Sequence, residues 1–262
     1  MRFTDALGRH VDVPSTPRRI VSLVPSQTEL LADLGLDDEV VGITRFCIHP
    51  KAWCQGRRQV GGTKNARVDE ILSLRPDLVI ANKEENTRPM VEALAAEVPV
   101  YVTDVGDVAE GIEMIRALGA LVGRAEQAHA IADEVVEGFE ALSFSEVLQI
   151  PVAYFIWRGP YMAAGSSNFI HDVLERGGMR NVVGHLPRYP EITLSGLKSL
   201  RPQWVLLSSE PYPFKSIHMR EIEEALPGVR CALVDGELFS WYGSRMRRTP
   251  AYLAELRRHL ES

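Results

Sequence analysis

A short segment that occurs twice constrains the fold of this chain more than any other feature. Residues 73–81 read SLRPDLVIA and residues 199–208 read SLRPQWVLLS, and the two copies start 126 positions apart in a chain of 262 residues. In each copy an Arg-Pro pair predicts the end of a helix, because proline disfavours helical geometry in the residue before it. The apolar run that follows has the length and β-branched content of a buried parallel strand. Two similar α/β halves predict two lobes with a cleft between them, which is a common place for a small-molecule site.

The first half of the chain has the pattern of a parallel α/β lobe, preceded by a short hairpin or arm at residues 1–18. Strands are predicted at residues 19–24, 40–44, 78–81 and 100–103, and helices at residues 28–34, 68–74 and 88–96. Ser26 and Glu29 have the spacing of a capping box, which predicts Ser26 as the N-cap of the first helix. Residues 45–67 show no periodicity and are predicted to form a long loop.

A helical segment and a second α/β lobe follow. Residues 107–142 carry apolar side chains at helical spacing, with an interruption at Gly123. In the second lobe, strands are predicted at residues 151–157, 204–208 and 229–234, and helices from a cap at Ser166 or Ser167 to residue 174 and at residues 194–200, 219–226 and 250–259. The prediction is an α/β protein of two Rossmann-like lobes with parallel central sheets, joined by a long rigid backbone helix that restricts hinge bending. Its boundaries are residues 1–104, 105–148 and 149–262.

The composition is that of an ordinary globular protein and excludes several classes of function. The net charge of −6 argues against nucleic acid as a partner, because a phosphate-binding surface carries a basic excess. No apolar stretch approaches the roughly 20 residues that span a bilayer. The first residues lack the apolar core of a signal peptide. We expect a monomer that is cytoplasmic if the sequence is complete, and periplasmic or lipid-anchored if a signal segment has been removed.

Three cysteines, Cys47, Cys54 and Cys231, exclude a framework of disulfides, because an odd number leaves at least one thiol free. Cys47 and Cys54 pair in an oxidising compartment or remain two free thiols in a loop. Together with His49 they have the chemistry of soft metal ligands, but the spacing matches no zinc motif and no fourth ligand stands out. We therefore predict no metal site.

Candidate ligand contacts follow the predicted strands, because the carboxyl ends of parallel strands meet at the edge where ligands bind. Aromatic side chains, which provide large rigid contact surfaces, are frequent at these ends in the second lobe. They are Trp157, Tyr161, Tyr189, Tyr212, Phe214, Phe239, Trp241 and Tyr242. Glu210 and His49 lie at strand ends as well. The start of the helix at Ser26 binds a ligand anion through its free N–H groups, or is satisfied by its own cap.

An enzyme is the less favoured class of function. Glu84, Glu210 and His49 are the candidate acid–base groups at the predicted cleft. The sequence shows none of the motifs of a nucleophile elbow, a phosphate-binding loop or a zinc protease, and no nucleophile–base pair. We therefore predict no catalytic residues and no cofactor other than the bound ligand.

Several segments resemble one known family of proteins. They are RIVSLVPSQTE at residues 19–29, VGGT at residues 60–63, LRPDLVI at residues 74–80 and the helix break at residues 119–123. Nearly the whole chain is similar to the helical-backbone substrate-binding proteins of ABC importers for vitamin B12, haem and iron–siderophores. Three further segments resemble the cobalamin-binding branch: residues 25–36, 161–183 and 239–245.

The resemblance implies that a corrinoid lies flat between two lobes and that no bond is made or broken. The implied contacts are Pro25, Ser26, Phe46, Thr63, Asn82, Phe169, Tyr189, Trp241 and Arg245. Thr63 and Asn82 stand where cobalamin binders have tryptophans, so a haem, an iron–siderophore or another metal chelate is the alternative ligand. His49 or Cys47 approaching the metal of the ligand is a further hypothesis.

The same resemblance implies a permease partner. The family docks on its permease through one acidic residue in each lobe, and the first of these matches Asp69. The equivalent position of the second lobe is Ser195, and the nearest carboxylate there is Glu191. A corrinoid-binding protein that works without a permease is therefore the alternative to an importer component.

Overall fold

The computed structural model describes residues 1–142 and 149–262, which divide into two compact units. The first unit comprises Met1–Val105, Ala109–Val135 and Tyr242–Arg245. The second comprises Gly106–Val108, the described part of Val136–Trp241, and Met246–Ser262. The end of the predicted linking segment, at residues 143–148, lies outside the described residues. Within the described ranges, no helix combines the length and the apolar composition needed to cross a membrane.

The first unit contains a hairpin and a sheet of five parallel strands. The hairpin pairs β1 (Arg2–Thr4) with β2 (His10–Asp12), as the sequence predicts. The sheet strands are β3 (Ile20–Ser22), β4 (Val40–Ile43), β5 (Arg58–Gln59), β6 (Leu78–Asn82) and β7 (Val100–Thr103). They run in the order β5-β4-β3-β6-β7, and every neighbouring pair is parallel. Because helices cover a parallel sheet on both faces, β3, β6 and β7 are buried along their whole length.

Four helices connect these strands: α1 (Pro25–Asp33), α2 (Lys51–Gly56), α3 (Val68–Ser73) and α4 (Arg88–Ala95). Two local predictions differ from the structure. The capping box is wrong, because Val24 is the N-cap of α1 and no side chain caps that helix. The long loop at residues 45–67 contains α2 and β5, which are too short to show a periodicity in the sequence.

Two helices, rather than one uninterrupted helix, occupy the segment between the two sheets. They are α5 (Val108–Leu121) and α6 (Ala125–Glu140). Gly123 separates them with a positive φ of 71°, as the predicted interruption requires. A side chain at Gly119 would overlap Ala128, so the start of α6 packs directly on the end of α5. An ion pair of 3.3 Å joins Arg116 to Asp133 along the same contact.

The second unit is built on a sheet of four parallel strands with one short antiparallel addition. The strands are β8 (Ile150–Trp157), β9 (Met162–Ala163), β10 (Met179–Asn181), β11 (Trp204–Ser208) and β12 (Arg230–Val234). The parallel order is β10-β8-β11-β12, and β9 pairs antiparallel with β8. The helices are α7 (Phe169–Arg176), α8 (Leu194–Leu200), α9 (Ser216–Ala225), α10 (Glu237–Ser240) and α11 (Thr249–Glu261), and a 3₁₀ turn spans Ser244–Arg247.

The cap of α7 is the main local correction in this unit. The sequence predicts Ser166 or Ser167, but the N-cap is Asn168, whose side-chain oxygen accepts a hydrogen bond of 3.1 Å from the backbone N–H of His171. Ser167 instead adopts a positive φ of 58° in the preceding turn.

The repeated SLRP segments form the same structure in both units. Helices α3 and α8 each end just before an arginine in the left-handed region, with φ of 48° at Arg75 and 52° at Arg201. The strand that follows lies inside its sheet in both cases, β6 between β3 and β7, and β11 between β8 and β12. The two α/β halves with parallel sheets that the repeat predicts are therefore confirmed.

Candidate functional site

The carboxyl edge of the first sheet brings several predicted contacts to one end of the first unit. Pro25 and Ser26 begin α1 directly after β3, Phe46 follows β4, and Asn82 ends β6. Because all five strands are parallel, their carboxyl ends lie along the same edge. Ser26 and Asn82 are buried, while Phe46 keeps 48% of its surface exposed. This edge offers an exposed ring beside buried polar groups.

Asn82 organises the loop after β6. Its side-chain oxygen accepts hydrogen bonds from the backbone N–H groups of Glu84, at 2.8 Å, and Glu85, at 3.1 Å. Its amide nitrogen donates to the hydroxyl of Thr103 at 3.1 Å. The loop closes because the backbone N–H of Asn82 donates to the side-chain oxygen of Asn86 at 2.8 Å. Asn82 therefore lies at the carboxyl edge of the sheet and also fixes the conformation of the loop that follows β6.

Thr63 is hydrogen-bonded to the same loop. Like Asn82, it stands where the resemblance to cobalamin binders predicts a tryptophan. The side-chain amide of Asn86 donates to the carbonyl of Thr63 at 2.9 Å and to the carbonyl of Leu23 at 3.3 Å. Thr63 and Asn86 are both buried. The structure thus brings Thr63 and Asn82 together through one asparagine that sequence reasoning missed.

The residues after β4 include the candidate soft ligands. Cys47 is buried, and its sulfur lies 3.1 Å from the hydroxyl of Thr28 and 3.2 Å from that of Thr44. Burial raises the pKa of the Cys47 thiol, which keeps it neutral. The thiol of Cys54 donates to the carbonyl of Cys47 at 2.7 Å, and all three cysteines are free. His49 is half-buried in this segment. Among the described residues, no group of three or more His, Cys, Asp or Glu side chains is arranged to hold a metal ion.

Arg245 has a partner that the sequence did not reveal. Its guanidinium makes two hydrogen bonds of 2.7 Å to the two carboxylate oxygens of Glu29, the residue wrongly assigned to a capping box. The side chains are 5% and 13% exposed. Tyr242 and Arg245 therefore belong to the first unit, although they come from the C-terminal part of the chain. Gly243 has a φ of 109°, and a Cβ there would lie 3.4 Å from the carbonyl of Ser26.

In the second unit, Glu210 and Trp241 form a single hydrogen-bonded group. One carboxylate oxygen of Glu210 accepts from the indole N–H of Trp241 at 2.8 Å and from the hydroxyl of Ser240 at 2.7 Å. Trp241 is buried. Glu210 thereby orients the indole of Trp241. This structural role differs from the acid–base role that Glu210 would have under the enzyme hypothesis.

Tyr161 is held by a charged pair. Its hydroxyl donates to Glu221 at 2.8 Å, and the same carboxylate pairs with Arg158 at 2.8 Å. These hydrogen bonds lower the pKa of Glu221, with that from Tyr161 contributing most. The Tyr161 ring stacks on Phe155, with 5.1 Å between ring centroids. Arg158 and Glu221 are positioning residues that the sequence did not single out.

Phe169 and Tyr189 are positioned through Asn168. The Asn168 amide nitrogen donates to the carbonyls of Gly165, Ser166 and Arg188, at 3.2, 3.1 and 3.0 Å. Phe169, the next residue, is buried at the start of α7, and Tyr189 follows Arg188 as a half-buried ring. The Ser-Ser-Asn sequence predicts a helix cap. It does not indicate which backbone carbonyls the Asn168 side-chain amide will donate to.

Trp157 and Tyr212 form a further aromatic pair at strand ends of the second sheet. Trp157 ends β8, is 41% exposed and packs edge-on against Tyr212, with centroids 5.7 Å apart. Tyr212 also contacts Phe214 at 4.8 Å. The sequence identified both rings as aromatic residues at carboxyl ends of strands, where ligand contacts are predicted, but it did not indicate that they pack on one another.

The predicted docking positions occupy equivalent places in the two units. Asp69 is exposed in the first turn of α3, and Ser195 is exposed in the first turn of α8. Beside Asp69, Glu70 pairs with both Arg58 and Arg67. The hydroxyl of Ser195 lies 3.2 Å from that of Thr193, the N-cap of α8.

A family model named for periplasmic binding proteins matches residues 20–223. The chain therefore belongs to this family, whose members are substrate-binding proteins rather than enzymes. The match spans the first sheet and most of the second, including α3 and α8.

Two relatives with curated names cover most of the chain. An uncharacterised ABC transporter substrate-binding lipoprotein, YvrC of Bacillus subtilis, is 25% identical over 96% of this chain and 83% of its own. A vitamin B12-binding protein of Yersinia pestis is 24% identical over 72% of this chain and 69% of its own.

Solved structures share the fold. The periplasmic haem-binding protein RhuT from Roseiflexus has a TM-score of 0.77 at 20% identity and covers 93% of this chain and 97% of its own. The molybdate-binding protein MolA of Haemophilus influenzae has a TM-score of 0.82 at 14% identity and covers 100% and 91%. At these identities the likeness shows the two-lobed α/β fold alone.

Proposed function

We propose that this chain is the substrate-binding protein of an ABC importer and that it captures cobalamin or a related corrinoid. The observation that carries the proposal is the likeness to the vitamin B12-binding protein, which extends over 72% of the chain. The binding surface would be formed by the carboxyl-edge residues of both sheets, as the sequence predicts.

The chemistry of these edges suits a corrinoid. A corrin ring is flat and apolar on its faces, and an exposed aromatic side chain such as that of Phe46 matches such a surface. Its periphery carries amide groups, which hydrogen-bond to polar side chains such as those at the β6 edge. Binding of this kind requires no reactive group, and the proposal is therefore capture without catalysis.

Haem is the second candidate ligand. It is favoured by the absence of tryptophan at Thr63 and Asn82, where buried polar residues replace two flat aromatic surfaces. A structural neighbour of this fold is named a haem-binding protein. Iron–siderophores and other metal chelates belong to the same alternative.

The proposed location is extracytoplasmic and the proposed partner is an ABC permease. The support is the name of the relative YvrC, a substrate-binding lipoprotein of an ABC transporter. Asp69 would provide the acidic contact of the first unit. Because Ser195 has no charge, the contact of the second unit would rest on other groups, or the protein would bind its ligand without a permease.

Calorimetric titration of the purified protein with cyanocobalamin, hydroxocobalamin and haemin tests the proposal. We expect binding of both corrinoids and weaker binding of haemin. Tight binding of haemin, with no heat from either corrinoid, would refute the corrinoid assignment. A spectral change typical of axial ligand exchange in the hydroxocobalamin titration would support contact between His49 and the cobalt.

A further inference from the structure

Cys47 and Cys54 are two thiols for which the proposed binding function has no role. Cys47 follows β4 and is buried, whereas Cys54 lies in α2 and is half-buried. The thiol of Cys54 donates to the backbone carbonyl of Cys47 at 2.7 Å and lies 3.4 Å from the carbonyl of Pro50. The Cys54 side chain therefore points back toward the residues that precede α2, as helical side chains do.

The two sulfur atoms lie within reach of one another. The carbonyl oxygen that Cys54 contacts belongs to Cys47 itself, only a few covalent bonds from the Cys47 sulfur. Rotation of both side chains about χ1 would bring the sulfurs together. The Cys47 sulfur would then leave the hydroxyls of Thr28 and Thr44, which lie at 3.1 and 3.2 Å. Sulfur is a weak hydrogen-bonding group, and Thr28 keeps its hydrogen bond of 2.9 Å to the carbonyl of Val24.

Burial sets the order in which the thiols react. The thiolate is the nucleophile in disulfide exchange, and a dissolved reagent must also reach it. Burial raises the pKa of the Cys47 thiol and that of Cys231, the latter to about 12. Half-buried Cys54 is therefore the thiol that a reagent meets first, and its neighbour Cys47 is the thiol that responds. Cys231 lies in β12 of the second unit, which contains no other cysteine.

We propose that Cys47 and Cys54 are a redox modification site, at which a low-molecular-weight disulfide converts the two thiols into one disulfide that anchors α2 to the carboxyl edge of the first sheet. The Cys54 thiolate attacks one sulfur of the reagent, whose S–S bond breaks and whose leaving sulfur takes up a proton. The Cys47 thiolate then attacks the Cys54 sulfur and releases the second reagent thiol. Two protein thiols are oxidised, and one reagent disulfide is reduced to two thiols.

The expected structural effect is confined to the segment around α2. The new bond would close a ring of chain that begins next to Phe46, whose side chain is 48% exposed, and contains the start of α2. A helix as short as Lys51–Gly56 is marginal on its own, so a covalent link at Cys54 should restrict its opening. This effect is independent of which ligand the protein binds.

Treatment of the reduced protein with excess oxidised glutathione tests the proposal. The protein has three free thiols, and we expect alkylation to find one thiol after treatment. The intact mass should show the loss of two hydrogen atoms, and a digest should contain a peptide pair joined between Cys47 and Cys54. Dithiothreitol should restore all three thiols. Hydrogen exchange measured by mass spectrometry should become several-fold slower in α2 of the oxidised protein.

Three variants separate the roles of the cysteines. Cys54→Ser removes the thiol that reacts first, and we expect both remaining thiols to persist after the same treatment. Cys47→Ser should stop at a mixed disulfide of glutathione with Cys54, because the second thiol is missing. Cys231→Ala is the matched control and should form the same internal disulfide. Circular dichroism checks folding, and Cys54→Ser, at the less buried position, decides the case if Cys47→Ser is unstable.

Several outcomes would overturn the proposal. They are three free thiols after treatment, a glutathione adduct on Cys54 of the unchanged protein that Cys47 does not displace, and a disulfide that includes Cys231. Unchanged hydrogen exchange in α2 of the oxidised protein would refute the anchoring of that helix. Calorimetric titration of the reduced protein with cyanocobalamin tests corrinoid binding separately, so either proposal can fail without the other.

Discussion

Arg245 and Glu29 show how far the role of a residue depends on a distant partner. They are 216 positions apart, yet their side chains form a bidentate pair that is almost removed from solvent. Guanidinium and carboxylate match in shape, and each group satisfies the other where water is excluded. The sequence marked Arg245 as a ligand contact and Glu29 as part of a helix cap, so it could not indicate this pair.

Breaking the pair should destabilise the protein. Glu29→Gln leaves the Arg245 guanidinium buried without its counter-charge, and we expect the free energy of unfolding in urea to fall by about 3 kcal/mol. Asp12→Asn is the control, because the Arg2–Asp12 pair has side chains that are 65% and 68% exposed, and its loss should have little effect. Equal stability of Glu29→Gln and the unchanged protein would contradict a structural role for the pair.

At the scale of the element, the two SLRP segments form the same local structure. Each combines a helix end, an arginine with positive φ, a proline and a buried strand. Glycine is the usual residue at such a left-handed position after a helix, because a side chain there crowds the backbone. Both copies have arginine at this position, so each carries the steric cost of a side chain at positive φ.

Replacing the strained residue should therefore stabilise the protein. For Arg201→Gly, and likewise for Arg75→Gly, we expect the free energy of unfolding to rise by about 0.5–1 kcal/mol, because the steric cost of positive φ is removed. Arg220→Gly, at an exposed position inside α9, should lower it by about 1 kcal/mol. The idea would be wrong if glycine lowered stability as much at Arg201 as at Arg220.

The N-cap of α7 could not be chosen from the local sequence. Ser166, Ser167 and Asn168 are all good capping residues, so the sequence predicts a cap without identifying it. Asn168 is selected because its amide nitrogen also meets three carbonyls from the surrounding loops, an arrangement that only the folded chain creates. Short elements such as α2 and β5 escaped prediction for a related reason, since a few residues carry no measurable period.

At the scale of the whole molecule, the two compact units allow a test of the predicted cleft. A ligand that binds only the native state stabilises it by about 2.7 kcal/mol at a concentration one hundred times its Kd. We expect saturating cyanocobalamin to raise the temperature of thermal unfolding by several degrees, measured by scanning calorimetry. If both units contact the ligand, the unfolding of both shifts together.

Two separate transitions of which cyanocobalamin moves only one would contradict a ligand shared by both units. Such a result would also contradict the predicted cleft and the predicted set of ligand contacts from both halves. The small closure expected from a helical backbone likewise assumes one ligand bound by both units. Haemin, titrated in parallel, serves as the comparison ligand.

The sequence by itself determined the two parallel α/β sheets, their repeated SLRP strands and the helical segment with a break at Gly123. These features depend on the order of apolar, proline and glycine residues within a few turns of chain. Only the tertiary structure decided which polar groups meet at the sheet edges. Glu29 with Arg245, Glu210 with Trp241, and Asn86 with Thr63 are pairs of residues far apart in the chain, and their contacts follow from how strands and loops pack together rather than from any local pattern.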